Sequence, residues 1–379
     1  MRSRSAAMRA LLVEPAFPLP AGRARAAYIP LGLLRIAAYH RDRGDTVAFV
    51  RFPALSPFDP DEVKIASLFT YWSRPVWDAV AFYRSAYPRA HIEVGGIYAS
   101  LMPEHCSRSG CDHVEVGPYR GGVAEDLQPA YDLVGSEFQV IHASRGCIRR
   151  CGFCGAWRIE PQLVFRDSVA DLITKPRVLF YDNNILANPH IANILDELAE
   201  FRLPNGRRVS CDSQCGFDTR LLTRDLARAL KRARFRNPRI SWDGAYSQWP
   251  LLKDAICMLE EAGYRRPDTY LFMLYNHDIQ YAEMKEKLEA CRRWGVRVAD
   301  CRYRPLDSTE DGYRPGPKPQ SPEDYYLHPG WLDSQVRRFR RAVRRQNIAI
   351  MLRLPGNRYV AGCEQGLVGT PWRASRGAL

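Results

Sequence analysis

The sequence has no long apolar run, which excludes a protein built around membrane-spanning helices. None of its apolar stretches reaches the roughly 18–20 residues that a transmembrane helix needs. The nearest one, residues 28–39, is interrupted by Arg35. A shorter run at residues 10–13 ends at Glu14, which is too soon for the apolar core of a secretory signal. We therefore expect a cytoplasmic protein with no membrane association.

Blocks of like charge, internal repeats and low-complexity tracts are also missing. The net charge is +13, yet no five consecutive residues carry the same charge. Such an excess allows an anionic or nucleic-acid partner, although arginines scattered over solvated faces are the simpler explanation. The 46% hydrophobic and 11% aromatic residues exclude a disordered chain. A length of 379 residues predicts two domains.

Eleven cysteines in a cytoplasmic chain argue against a disulfide framework and for buried thiols with a metal-binding cluster. Cys147, Cys151 and Cys154 are closely spaced, and thiolates are the usual protein ligands of iron–sulfur clusters. Three cysteines hold three of the four irons of a cubane cluster. The fourth iron is then open to a non-protein ligand, which indicates catalysis rather than electron transfer alone. The alternative is a zinc site that includes His142, but zinc usually takes two separated pairs of ligands.

The remaining cysteines give no comparable pattern. Cys211 and Cys215 lie four residues apart, which leaves a second cluster open, but burial as small apolar side chains is the simpler interpretation. The same interpretation applies to the scattered ones, which are Cys106, Cys111, Cys257, Cys291, Cys301 and Cys363.

Strand-like and helix-like segments alternate over residues 1–120, which predicts an α/β domain with a Rossmann-like parallel sheet. The predicted strands are residues 9–13, 46–50, 65–69, 91–94 and 112–116, and the clearest helices are residues 31–43 and 75–87. Ligands of such sheets bind beyond the carboxyl ends of the strands. Those ends are expected at Pro15, Thr70, Gly95-Gly96 and Gly117.

A second alternating series follows a predicted linker at residues 121–136. Residues 137–304 contain six predicted strands, at 138–143, 178–181, 208–211, 239–242, 269–274 and 296–301. The predicted helices between them are residues 191–200, 221–234, 251–262 and 281–294. This pattern predicts a partial or full (β/α) barrel with its active site at the carboxyl ends of the strands. Residues 305–379 are expected to form a C-terminal extension with a basic helix at 331–346.

At the three cysteines the sequence resembles the radical S-adenosylmethionine (SAM) superfamily, whose signature is CxxxCxxC with an aromatic residue before the last cysteine, here Phe153. The resemblance implies a 4Fe-4S cluster on Cys147, Cys151 and Cys154. It implies that the open iron binds the amino and carboxylate groups of SAM, and that an electron from the cluster cleaves SAM to a 5′-deoxyadenosyl radical. Phe153 would lie near the adenine. An electron donor such as flavodoxin or ferredoxin is implied as a partner.

The family also binds the SAM amino group with a motif after the second barrel strand. The matching position reads Tyr181-Asp182-Asn183-Asn184, which departs from the usual Gly-Gly-Glu and resembles an Asp/Asn variant. Asp182, Asn183 and Asn184 are acceptors for an ammonium group, although Asp or Asn here also suits a helix N-cap. After the third strand, Ser213 and Gln214 are candidates for the SAM ribose. Arg220 is a candidate for the SAM carboxylate, although an ordinary surface arginine is an equally good interpretation.

The first 120 residues resemble the cobalamin-binding domain that precedes many radical SAM cores. The matching segments are Pro30-Leu-Gly-Leu-Leu, Gly44-Asp-Thr-Val, Val94-Gly-Gly-Ile-Tyr-Ala-Ser, and Asp112 leading to Gly117. Gly95 and Gly96 are small enough for the backbone to contact a ligand closely, although they also suit a plain turn. The Asp-x-His-x-x-Gly motif with an axial histidine is missing, since Asp112-His113 has the wrong spacing.

We expect radical chemistry on an unactivated carbon, with methyl transfer through methylcobalamin as the leading version. An enzyme that uses the deoxyadenosyl radical without cobalamin is the main alternative. An RNA-modifying or RNA-binding protein is supported only by the net charge. An iron–sulfur sensor would require a plugged barrel mouth. The substrate, a small molecule or a peptide, is not specified by any motif.

Overall fold

A computed structural model of the chain describes residues 7–19, 28–119 and 127–353. It has the predicted α/β architecture, with a parallel-sheet domain followed by a partial barrel. The first domain is a five-stranded sheet in the order β2-β1-β3-β4-β5, and all its strand pairs are parallel. Its strands are β1 Arg9–Glu14, β2 Thr46–Arg51, β3 Glu62–Ser67, β4 His91–Gly96 and β5 His113–Glu115.

Residues 10–13 of β1 are completely buried because helices cover both faces of the sheet. The covering helices are α1 Leu31–Asp42, α2 Ser73–Ala86, α3 Ile97–Leu101 and α4 Pro103–Ser107. Helix α2 begins two residues before the predicted Pro75. Strand order reverses between β1 and β3, and parallel sheets bind ligands beyond the carboxyl ends of the strands at such a point.

The second domain is a partial barrel built from two parallel three-stranded sheets, β10-β9-β6 and β11-β12-β13. Isolated parallel bridges, Cys211 to Phe235 and Phe217 to Ile240, connect the two sheets. The strands are β6 Gln139–Ile141, β9 Arg177–Phe180, β10 Ser210–Ser213, β11 Arg239–Ser241, β12 Tyr270–Tyr275 and β13 Arg297–Arg302. A short antiparallel pair, β7 Ser144–Arg145 and β8 Val164–Phe165, flanks the cysteine loop.

The helices of the second domain are α5 Ala156–Ile159, α6 Ile191–Glu200, α7 Arg224–Arg232, α8 Trp249–Glu261, α9 Tyr281–Trp294 and α10 Asp333–Met351. The limits of α6 and α9 are those predicted, because each has an uninterrupted apolar face. Helix α10 was predicted at residues 331–346 and is shifted towards the C-terminus. Trp331 precedes it, fully buried, with its indole N–H donated to the carbonyl oxygens of His277 and Ile279 at 3.0 and 2.9 Å.

The predicted linker is structured at its C-terminal end. The backbone N–H of Ala130 donates to Leu34 of α1, and the Tyr131 hydroxyl accepts from and donates to the backbone of Val140 next to β9. Ala130 and Tyr131 are both buried. These residues therefore pack the first domain against the barrel. The rest of the predicted linker, residues 121–126, lies outside the described residues.

The C-terminal extension also touches both domains. The Ser73 hydroxyl of α2 donates to the Thr309 carbonyl at 3.0 Å. The Arg304 guanidinium lies 4.6 Å from the ring centre of Tyr71 and bonds to Asp311 at 2.5 Å. Residues 304–311 thus connect the end of the barrel to the loop after β3. Among the described helices, none combines the length and apolarity needed to cross a bilayer.

Candidate cluster and cofactor site

The cysteine loop begins at a position that only glycine occupies without strain. Gly146 has φ +77°, and a Cβ atom there would lie 2.3 Å from the Gln162 carbonyl oxygen. Its N–H donates to the Glu160 carboxylate at 2.9 Å. The loop therefore turns directly after β7 and presents its cysteines at the carboxyl end of the barrel, where catalytic loops lie in (β/α) barrels.

Cys147, Cys151 and Cys154 are free, partly buried thiols. The Arg149 N–H lies 3.4 Å from the sulfur of Cys147, and the Ala156 N–H lies 3.5 Å from that of Cys154. Burial raises the pKa of Cys151 and Cys154, and the neighbouring thiols raise it further. The backbone N–H groups of Arg149 and Ala156 stabilise sulfur that carries negative charge, and a bound metal displaces the thiol proton. The three residues therefore fit thiolate ligands of a cluster.

Within the described ranges, no group of three or more His, Cys, Asp or Glu residues is arranged to hold a metal ion. The zinc alternative needed His142 beside the cysteines. Instead, His142 is buried with its Nε2 3.0 Å from Arg145, and burial together with nearby arginines lowers its pKa well below the usual value. The described residues therefore do not form the proposed zinc site. A cubane cluster gives each cysteine a different iron, so its thiols need not converge on one point.

Asp182 lies in the interior and supports the cysteine loop. Its Oδ1 accepts from the backbone N–H and the hydroxyl of Ser144 at 2.5 and 2.7 Å, and its Oδ2 accepts from the Ala143 N–H at 3.2 Å. The side chain is completely buried. Burial raises the pKa of Asp182 to about 6, although these hydrogen bonds oppose the shift. The predicted contact of Asp182 with SAM stays a prediction, and the structure gives this carboxylate a different, structural role.

Asp182→Asn tests that role through the pH dependence of stability. A carboxyl group whose folded pKa exceeds its unfolded value binds more protons when folded, so its contribution to stability falls as pH rises between about 4 and 6. Asparagine does not titrate there. The variant is expected to be less stable than wild type, and the difference should shrink by about 2–3 kcal/mol from pH 4 to pH 7. Urea unfolding of both proteins at the two pH values measures this; a constant difference would contradict it.

Of the two asparagines after Asp182, Asn183 reaches the cavity and Asn184 is buried behind it. Asn183 lines the cavity and donates to Glu160 at 3.1 Å. Asn184 is buried and donates to Asp218 at 3.3 Å, while its carbonyl Oδ1 has no hydrogen-bond partner among the described residues. An orphaned buried acceptor beside the cysteine loop is the expected state of an atom that receives a bond from a bound ligand.

Asp218 connects the cysteine loop to the residues after β10. Its carboxylate accepts from Arg149 at 2.9 Å, from Arg220 at 2.7 and 3.1 Å, and from Asn184. These bonds hold the pKa of Asp218 below its usual range although burial acts to raise it. Arg220, predicted to bind the SAM carboxylate, is thus held beside the cysteine loop.

Ser213 and Gln214 follow β10 as predicted. Ser213 is buried, and its hydroxyl donates to the Cys215 carbonyl at 3.0 Å. The Gln214 backbone N–H donates to the Phe180 carbonyl, and its side chain is partly exposed. Of the two predicted ribose contacts, Gln214 is therefore the one with an accessible side chain, and both assignments stay predictions.

A cavity of about 370 Å³ lies between the two domains. The first domain contributes Phe69 after β3 and Ile97 and Leu101 after β4. The barrel contributes Phe153, Cys154, Gly155, Ala156, Ile159, Glu160 and Asn183, and the C-terminal extension contributes Leu306. The cysteine motif therefore faces the carboxyl ends of the strands in the neighbouring domain across a mostly apolar space.

Gly95 and Gly96 lie at the end of β4 next to this cavity. Gly96 has φ +112°, and a Cβ there would lie 2.2 Å from the Ser67 carbonyl oxygen of β3. The fold itself therefore requires glycine at 96, whatever binds nearby. At Gly95 a Cβ would meet Glu115 at an ordinary 3.5 Å. The predicted cobalamin contact of the two glycines stays a prediction, and Gly95 is the position that can test it.

Several other cysteines have defined surroundings. Cys211 is buried. Cys215 lies near Cys147 and Cys154. Burial raises the pKa of Cys215 to about 11, and these two neighbouring thiols contribute to the rise. Cys257 is buried on α8. Cys363 lies outside the described residues.

Sequence reasoning missed two residues of the site. Glu160 accepts from Gly146 and Asn183 and forms an ion pair with Arg145 at 2.5 Å. Asp218 binds two arginines and an asparagine as described above. For Glu160 the only sequence signal is its position shortly after the third cysteine. Asp218 carries no motif at all.

Comparison with family models and with curated proteins finds no match. Among solved structures, the chain is similar to the radical SAM methyltransferase TsrM from Kitasatospora setae with cobalamin and a 4Fe-4S cluster bound. The identity is 13%, the TM-score is 0.60, and the match covers 83% of this chain and 80% of that one. A second structure of TsrM, with a tryptophan substrate and the SAM analogue aza-SAM bound, gives 14% identity, a TM-score of 0.59, and coverage of 80% and 75%. The chain therefore shares its fold with these structures of a radical SAM methyltransferase.

Proposed function

We propose that the protein is a radical SAM enzyme that transfers a methyl group through cobalamin to an unactivated carbon. Cys147, Cys151 and Cys154 hold its 4Fe-4S cluster. The cavity between the domains carries the radical SAM part of this proposal, because the cysteine loop forms one wall and the ends of β3 and β4 form the other. The similar enzyme from Kitasatospora setae, which binds a cluster and cobalamin, supports the same assignment.

The residues around the cysteines suit SAM. When bound, the cluster supplies the electron for SAM cleavage, and cobalamin carries the methyl group. The free Oδ1 of Asn184 accepts from the SAM amino group, and Arg220, held by Asp218, attracts the carboxylate. Phe153 and Ile159 offer apolar surface for the adenine.

The apolar wall of the cavity has a role of its own. Phe69, Ile97, Leu101 and Leu306 bring no hydrogen-bonding side chain to the space between the domains. Such a lining excludes water, and water exclusion protects reactive intermediates from side reactions. The two polar residues of the lining, Glu160 and Asn183, lie on the cysteine side, where SAM is expected.

A second candidate is a radical SAM enzyme that does not use cobalamin. The volume of the cavity, about 370 Å³, favours it, because this is a typical size for a small-molecule site and cobalamin is much larger. The steric requirement for glycine at position 96 favours it too, because the close approach of Ser67 explains this glycine without a bound cofactor. In this version the first domain shapes the substrate pocket.

The other functions considered from the sequence gain less support. An RNA-binding protein would interleave basic residues with exposed aromatics. Helix α10 exposes Arg338, Arg341, Arg344 and Arg345, but its aromatic residue, Phe339, is buried. An iron–sulfur sensor would need a plugged barrel mouth, whereas the cavity reaches Cys154. An electron donor such as flavodoxin or ferredoxin belongs to the favoured proposal.

SAM binding and cleavage test the proposal. Protein reconstituted anaerobically with iron and sulfide is expected to bind SAM, with a change in the cluster's EPR signal. On reduction it should release 5′-deoxyadenosine or S-adenosylhomocysteine. Asn184→Ala should weaken SAM binding at least about ten-fold through the lost acceptor, while the exposed Asn205→Ala should not. If SAM leaves the signal unchanged and neither product forms, the protein is not a radical SAM enzyme.

A further inference from the structure

Three aromatic side chains meet at the carboxyl ends of β12 and β13. The ring centres of His277 and Tyr303 are 4.4 Å apart at an angle of 72°, and those of Tyr303 and Tyr326 are 5.6 Å apart at 81°. His277 also lies 6.0 Å from Phe153, which lines the cavity. We call His277, Tyr303 and Tyr326 the mouth cluster. Phe153 is thus the contact between the mouth cluster and the lining of the cavity.

The loop that carries His277 is held firmly in place. Asn276 is completely buried in the left-handed region, with φ +58°. Its side chain donates to the Tyr326 carbonyl at 2.9 Å and accepts from the His328 N–H at 3.0 Å. The Trp331 indole donates to the His277 carbonyl. A strained residue persists only where its surroundings fix it, so the C-terminal extension fixes the geometry of the mouth cluster.

The ring nitrogens of His277 are not equivalent. Its Nδ1 lies 3.5 Å from the Asp278 carboxylate, which also lies 3.3 Å from Nε2 of His328. Its Nε2 has no hydrogen-bond partner among the described residues and is not sealed from solvent. Burial lowers the pKa of His277, which favours the neutral ring. With a proton on Nδ1 facing Asp278, Nε2 is left as an acceptor.

The charge around the mouth cluster is mainly negative. Two carboxylates, those of Asp278 and Asp307, lie near the rings of Tyr303 and Tyr326. Burial is the main cause that raises the pKa of both tyrosines, and the two carboxylates raise it further. Arg158 is the nearby cation that opposes this at Tyr303. Faces of aromatic rings attract cations, and more strongly beside carboxylates. A free acceptor, two phenol rings and two carboxylates together suit a positively charged hydrogen-bond donor.

We infer that the mouth cluster binds the ammonium group of an amine substrate, with His277 Nε2 accepting one of its hydrogen bonds. This rests on the proposed function, because it places the amine beside the cavity where the cysteine loop lies. The substrate class that follows is protonated amines. Neutral and acidic molecules of the same shape lack the donor or the charge that the cluster would recognise.

Benzylammonium is a simple probe of this site, with benzyl alcohol and phenylacetate as neutral and anionic analogues. Calorimetry and ligand-observed NMR on the purified full-length chain, without SAM, measure all three. Benzylammonium is expected to bind in the millimolar range or tighter and the analogues at least about ten-fold more weakly. His277→Phe, which keeps the ring contacts, and Asp278→Asn should each weaken benzylammonium binding several-fold, and Asp278→Asn should leave benzyl alcohol unaffected.

His113→Phe is the matched control, because His113 also lies beside a carboxylate, Glu115, at 3.2 Å, but on β5 of the first domain. It should bind benzylammonium as wild type does. Equal binding of amine and alcohol, or unchanged binding in both mouth variants with wild-type thermal melts, would overturn the inference. Iron content and SAM binding are measured without any amine. A negative result for benzylammonium therefore leaves the proposed function standing, and a negative result for SAM does not alter the benzylammonium result.

Discussion

Replacing Cys147, Cys151 and Cys154 together by alanine is expected to abolish the cluster. Each thiol holds a different iron in the proposed arrangement, and the described residues offer no replacement set of ligands. Reconstituted variant protein should contain almost no iron or sulfide, and SAM cleavage should fall by at least about 1,000-fold, a loss of 4 kcal/mol or more of transition-state stabilisation. Iron and sulfide assays and product analysis measure both effects.

Cys301→Ala is the control for that experiment. Cys301 is a free, exposed thiol at the end of β13, outside the cysteine loop. Its replacement should leave the iron content unchanged. A full four-iron complement in the triple variant would refute the assignment of the cluster ligands. Loss of iron in the Cys301 variant would show that the cluster site extends beyond the loop.

Gly96→Val is expected to destabilise the first domain by roughly 3 kcal/mol or more. Its Cβ would lie 2.2 Å from the Ser67 carbonyl oxygen, and a β-branched residue is strained at φ +112°. Because the obstacle is the protein's own backbone, the loss should be the same with and without cobalamin. Thermal and urea unfolding of wild type and variant measure it.

Gly95→Ala is the informative partner of that variant. A Cβ at 95 meets only Glu115, at 3.5 Å, so the fold should tolerate it with a change below about 1 kcal/mol. If Gly95 contacts cobalamin, hydroxocobalamin binding should weaken in a protein that melts normally. A Gly96 variant as stable as wild type would contradict the clash described here, and wild type that binds no hydroxocobalamin would favour the cobalamin-independent enzyme.

Local signals in the sequence located most of the strands and helices, although β3 was predicted at residues 65–69 and lies at Glu62–Ser67. Apolar runs such as residues 10–13 become buried strands because both faces of a parallel sheet are covered. The spacing of the cysteines is local too, so the loop that carries them was predicted with the strand before it. The limits of α6 and α9 follow from apolar faces that one helix alone determines.

Contacts between distant residues were not predictable in the same way. Asp182 was assigned to SAM because it follows a barrel strand, but its partner Ser144 lies 38 residues earlier, and only the pairing of β6 with β9 brings them together. Asp218 bonds to Arg149, 69 residues away. The steric demand at Gly96 arises from its register opposite Ser67 in β3. Each depends on how strands are placed side by side, which no local pattern contains.

Residues 304–311 form a bridge that contacts both domains and so links the stability of one domain to that of the other. Tyr71 and Ser73 follow the strand end where the first domain would hold its ligand, and they contact Arg304 and Thr309 after the last barrel strand. A ligand that shifts the loop after β3 therefore changes the stability of the barrel end. Thermodynamic linkage makes such a coupling reciprocal, so a ligand in the barrel that stabilises this bridge changes affinity in the first domain by the same factor.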